Sequence, residues 1–126
     1  MKLTDLQPSW VRYETRMEER TFTDGKRVAP THYTIHVGNL DEAQGVQFLC
    51  PKCFVQNGNS DIGTHWCDVT FEDRGVRPDQ GTHNKAGDPV RWAVSGNGFA
   101  NLTTQPSIQI VGGCEWHGVI TGGEVQ

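Results

Sequence analysis

The chain has no uninterrupted apolar run longer than four residues, far short of the roughly 20 that a bilayer-spanning helix needs, so no such helix is expected. A secretory leader is missing too. Met1-Lys2 runs directly into Thr4, Asp5, Gln7 and Pro8 with no apolar segment between, which predicts a protein made and kept inside a cell, or released only by lysis. Basic charge is not in excess: 11 Lys and Arg face 15 Asp and Glu, for a formal net charge of −4. A broad cationic face for nucleic acid is therefore not expected. Six of the basic residues fall before residue 31 (Lys2, Arg12, Arg16, Arg20, Lys26, Arg27) and none lies in 101–126. Neither a GxxxxGK[ST] loop nor a GxGxxG turn opening a helix occurs, which removes the common phosphate cradles.

Large apolar residues are also scarce. Hydrophobic residues make up 35% of the 126 positions and glycine supplies 15, against roughly 45–50% apolar in an average domain. The length predicts one domain over residues 1–126 with a thin core, and a thin core calls for a staple.

What the chain does have is alternation. Over Val11–Phe22 a strand is expected: Val11, Tyr13, Thr15 and Met17 alternate, whereas a helix would stack Glu14 on Glu18 and Arg16 on Arg20. Thr31–Val37 alternates with Tyr33, Ile35 and Val37 on one face and His32, Thr34 and His36 on the other. Val46–Leu49 reads as a buried strand, and Thr64–Phe71 sets Cys67, Val69 and Phe71 against Trp66, Asp68 and Thr70. Further strands are expected at 91–95, 107–111 and 118–121, with loops at 56–63 and 72–89. About seven short strands and little or no helix predict a mostly β domain, an antiparallel sheet or sandwich.

Four cysteines without a leader point to metal or free thiols before disulfides. Cys50-Pro51-Lys52-Cys53 and Cys114-Glu115-Trp116-His117 are two knuckles with two residues between potential ligands, each following an expected strand. Two such pairs can close a tetrahedral zinc site. The expected structural Zn2+ ligands are therefore Cys50, Cys53, Cys114 and His117, a Cys3His set. Cys67 shares the apolar register of Val69 and Phe71 and reads as a small core residue. His65 lies on the same strand face, and it and Cys67 are alternative ligands, both left out because four others fill the tetrahedron. His32 and His36 read as surface histidines, Glu115 as a solvated knuckle residue, and Trp66, Trp92 and Trp116 as core or rim. A filled tetrahedron leaves no water position, so no catalytic residue and no enzyme activity is expected.

The blocks Leu3-Thr4-Asp5-Leu6-x-Pro8-x-Trp10, Ala43-x-Gly45-Val46-x-Phe48-Leu49-Cys50-Pro51-x-Cys53, Trp92-x-Val94-Ser95-Gly96, Leu102-Thr103-x-x-Pro106-Ser107-Ile108 and Cys114-x-Trp116-His117-Gly118-x-Ile120-x-x-Gly123 together resemble a family of short phage and prophage proteins of unknown function. Its members often carry an ammonia monooxygenase label. The residues give that label no support: no His-rich copper site and no pair of carboxylate-bearing helices for two irons can be assembled from them. The resemblance implies bacteriophage origin and the same four metal positions. It leads to an expected role as a zinc-stapled structural or protein-binding domain, located in the virion or the host cytoplasm. The expected partners are other virion proteins of head, neck or tail, with no membrane and no nucleic acid expected in this leading reading. A phage effector that binds and inhibits a host defence protein, and a nucleic-acid-binding zinc ribbon, are the alternatives.

Overall fold

The computed structural model describes residues 1–126. A 3-10 turn, Leu3–Leu6, buries both its leucines. A long hairpin follows, β1 (Ser9–Phe22) and β2 (Gly25–Val37), then β3 (Gly45–Leu49), a short helix α1 (Pro51–Gln56) and β4 (Trp66–Thr70). The rest of the chain is built from two- and three-residue strands, β5 (Ala93–Ser95), β6 (Thr103–Gln105), β7 (Ile108–Gln109), β8 (His117–Gly118), β9 (Ile120–Thr121) and β10 (Glu124–Val125), with a second 3-10 turn, Phe99–Asn101, between β5 and β6. Strand accounts for 44% of residues and helix for 10%, so the expected mostly β, antiparallel class is the observed one.

The main sheet has the order β2-β1-β3-β4, all antiparallel. The β3 and β4 strands show why alternation was readable. Cys67 and Val69 turn inward and are buried, while Trp66 between the loop and Cys67 turns outward. Gly45, at the start of β3, lies under Tyr13; a Cβ there would sit 2.5 Å from the Tyr13 hydroxyl and 2.8 Å from the Val69 carbonyl, so only glycine fits. The remaining strands pair as β5 with β6, β7 with β8 and β9 with β10.

One apolar cluster joins the two ends of the chain. Leu3 and Leu6 from the start, Val46, Phe48 and Val69 from the main sheet with Phe71 just past it, and Leu102, Ile108, Ile120 and Val125 from the last quarter of the chain share it. Trp10 stacks on Phe99 with ring centroids 4.1 Å apart, and Trp116 meets Phe48 edge-on at 6.2 Å. The termini are sewn together: the Met1 amino group donates to the Val125 carbonyl at 3.2 Å, and the Val125 N–H donates back to Met1 at 2.7 Å.

The long loop after β4 is ordered by two arginines in place of strands. Arg74 donates to the carbonyls of Leu40 and Ala43 at 2.9 and 2.7 Å. Arg91 donates to four carbonyls, those of Thr82, Val90, Arg77 and Gln80. Loop carbonyls that no strand could satisfy thus find charged donors, which are stronger than neutral ones.

The sequence-level expectation differs from the structure at three places. The first knuckle is the opening turn of α1 and not an isolated turn, with Pro51 at its first position, where the missing N–H costs nothing. The strand β2 starts at Gly25, six residues before the expected Thr31, whereas β1 extends the expected Val11–Phe22 strand by only two residues at its start. The strands β6 and β10 carry too short a pattern to be seen in the sequence.

Candidate metal centre

Cys50 is the single residue between β3 and α1; the helix brings Cys53 round to the same side, with the Phe54 N–H on the Cys50 carbonyl at 2.8 Å and the Asn57 N–H on the Cys53 carbonyl at 2.9 Å. The β3–β4 ladder supplies the next ligand. Leu49 pairs with Trp66, and one step further the Cys50 N–H donates to the His65 carbonyl at 2.9 Å. Cys50 and His65 are therefore directly opposite one another across the ladder. The last ligand arrives from far along the chain. Gly112 and Gly113 both take left-handed backbone angles, φ +74 and +57, and curl the chain so that Cys114 faces the ladder. Lys52, from inside the first knuckle, fixes the curl by donating from Nζ to the Cys114 carbonyl at 2.8 Å.

The result is a cluster of Cys50, Cys53, His65 and Cys114 whose ligand atoms all lie within 4.8 Å of one another. Cys50 Sγ is 3.5 Å from Cys114 Sγ, and His65 Nε2 is 3.1 Å from the same sulfur. The three sulfurs and one imidazole nitrogen form a group able to hold a metal ion. None of the four cysteines is in a disulfide.

His117 is not part of it. The expected Cys114-x-x-His117 knuckle does not close, because the chain leaves the curl as strand β8, where neighbouring side chains point to opposite sides. Trp116 takes the inward side and is buried against Phe48; His117 is turned outward, its Nε2 2.9 Å from Ser107 Oγ. Cys50, Cys53 and Cys114 are where the spacing put them, and His65 replaces His117 as the fourth member.

The surroundings treat the thiols unequally. Loss of water around Cys53, with the Cys114 and Cys50 sulfurs close by, pushes its thiol up to about 11. Burial acts the same way on Cys114, but the hydrogen bond from His65, the Trp116 N–H and the two neighbouring thiols outweigh it and hold Cys114 down at about 6. That sulfur is the natural anionic anchor of the group. Cys67 stands behind Cys50, fully buried, and burial followed by the nearby Cys50 sulfur pushes its thiol well up. It is a neutral core thiol, as its register with Val69 implied.

The other candidates stay apart from the centre. His32 and His36 are exposed, His32 sharing a 2.9 Å hydrogen bond with Thr15. Glu115 is exposed with a left-handed backbone, φ +53. Trp92 and Trp116 are core residues, whereas Trp66 is half exposed beside His65. No family, curated protein or solved structure was found to match this chain.

Proposed function

We propose that the centre holds one structural zinc ion, bound by Cys50, Cys53, His65 and Cys114, and that the domain it staples works by binding protein. The observation that carries the first half is the convergence of three thiols and one imidazole from three separate segments within 4.8 Å. A zinc tetrahedron with ~2.3 Å sulfur and ~2.0 Å nitrogen bonds has edges of about 3.5–3.8 Å. The 3.5 and 3.1 Å separations seen here need to open only slightly to match. Thiolate-rich sets favour zinc over the hard cations, and four protein ligands leave no position for a reacting water. With the ligands drawn from residues 50 to 114 and the core short of large aliphatics, metal binding and folding are one process.

The second half rests on charge and surface. With a net charge of −4, and the basic residues of the first 30 nearly balanced by Asp5, Glu14, Glu18, Glu19 and Asp24, the counterion-release term is too weak to hold DNA at physiological salt. With its resemblance to short phage and prophage proteins, the chain reads as a virion component that docks on other virion proteins. Mass spectrometry of purified particles of the encoding phage tests this: a fixed copy number per particle supports it, and absence from particles with abundance in the infected cell favours the host-directed alternative.

A further inference from the structure

The β1–β2 hairpin reaches far beyond the core. Only Ser9–Val11 of β1 pair with β3, and past Val11 neither strand has a buried residue. From Thr15 to Thr21 no backbone hydrogen bond reaches the β1 edge that faces away from β2. The apolar side chains Met17 and Val28 are 65% and 62% exposed there. A two-stranded ribbon of this kind is at best marginally stable alone, and an open edge is a template for another strand.

The backbone polarity of that edge is fixed. The Gln44 N–H donates to the Val11 carbonyl at 2.7 Å and the Tyr13 N–H donates to Gln44 Oε1 at 2.9 Å, both on the side away from β2. Odd-numbered residues therefore offer their N–H and C=O groups outward, and Thr15, Met17 and Thr21 with Glu19 continue the row. Even-numbered residues fall in the non-hydrogen-bonded positions, where facing side chains come closest. Those residues are Glu14, Arg16, Glu18 and Arg20, charges that read with opposite sign from the two sides of Met17.

We propose that two copies of this chain join β1 to β1 antiparallel about a two-fold axis at Met17, making a four-stranded sheet. In that register Glu14 faces the partner's Arg20 and Arg16 faces the partner's Glu18, each pair occurring twice. Opposite charges directly across a strand pair are stabilising and like charges are not. Sliding the axis to Arg16 sets Glu14 against the partner's Glu18 and Arg16 against its own copy. Sliding it to Glu18 sets Arg16 against the partner's Arg20. Moving it to Thr15 runs into the edge that β3 and Gln44 already occupy. On the opposite face Met17 would meet its own copy, and because Met17 pairs with Pro30 in β2, an apolar row would run across all four strands. The Arg16–Glu14 ion pair within one chain, 2.9 Å, keeps the same charges poised for exchange. The interface is isologous, as two-fold dimers require.

Sedimentation of the full-length protein tests this. Wild type is expected to be a dimer at micromolar concentration, loosened when salt rises from about 0.05 to 0.5 M because the pairs are exposed. The variants Arg16→Glu/Arg20→Glu and Glu14→Arg/Glu18→Arg should each be monomeric, and an equal mixture of the two should form a heterodimer. Met17→Pro removes an outward N–H together with the Met17 side chain at the axis, takes no bond from β2, and should also be monomeric, with wild-type melting of the body showing that it folds. A monomeric wild type, charge variants that dimerise alone, or a mixture that stays monomeric would overturn the proposal.

Discussion

His65 is the residue that decides the centre, and its role could have been found in the sequence by one further step. Phe48 pairs with Cys67, so the same antiparallel register carries Cys50 to His65. The spacing argument instead favoured His117, because local Cys-x-x-His spacing is visible in sequence and a ladder register is not until the strands are paired. Asp68 shows a second residue-level effect. Burial raises its carboxyl above the ordinary 3.8, partly offset by the Tyr13 hydroxyl and by Arg91, and Tyr13 donates to it at 2.8 Å. A folded-state value raised above the unfolded one stabilises fully below the unfolded value, and that contribution is lost as pH climbs through the folded value. Asp68→Asn, which still accepts from Tyr13, should therefore melt higher than wild type at pH 7, with the difference shrinking toward about pH 4. A melt series across that range checks it; a variant less stable at pH 7 would contradict it. Gly45→Ala should cost about 2–4 kcal/mol in denaturant unfolding, since both the Tyr13 hydroxyl and the Val69 backbone must move.

Among the elements, the main sheet was legible because its strands have two chemically different faces. The alternation at Thr31–Val37 and Thr64–Phe71 survives as half-buried against exposed positions in β2 and as buried Cys67 and Val69 in β4. Length and extent were less legible: nothing in the composition of Thr21 to Pro30 says that the hairpin leaves the body, because a ribbon exposed on both faces has no burial pattern to read. The helix α1 was hidden for a different reason, its six residues being too few to show a period. The strand pairs β5–β6 and β9–β10 are held by their neighbours more than by their own residues. The exposure of the hairpin leads to a prediction at this scale. Amides of β1 and β2 beyond Glu14 and Thr34 should exchange with deuterium much faster in a monomeric variant such as Met17→Pro than those of β3 and β4, which open only with the whole body. Equal protection in the two regions would show that the arm packs in a way the contacts do not.

At the scale of the whole molecule, a small core and a staple act together. The core draws on residues from Leu3 to Val125 yet contains few large aliphatics, and zinc peptides gain of order 10–16 kcal/mol from their metal. If the domain keeps only about 4 kcal/mol of that, chelation should lower its melting temperature by roughly 10–20 °C. An apo-protein melting within about 3 °C of the metal-bound form would show a body that needs no staple. Elemental analysis of protein purified without added metal, run side by side on wild type, His65→Ala and His117→Ala, tests the central claim most directly. The account predicts one zinc per chain in wild type and in His117→Ala, and little or none in His65→Ala. Zinc lost from His117→Ala and kept by His65→Ala, or a folded wild type carrying none, would contradict it.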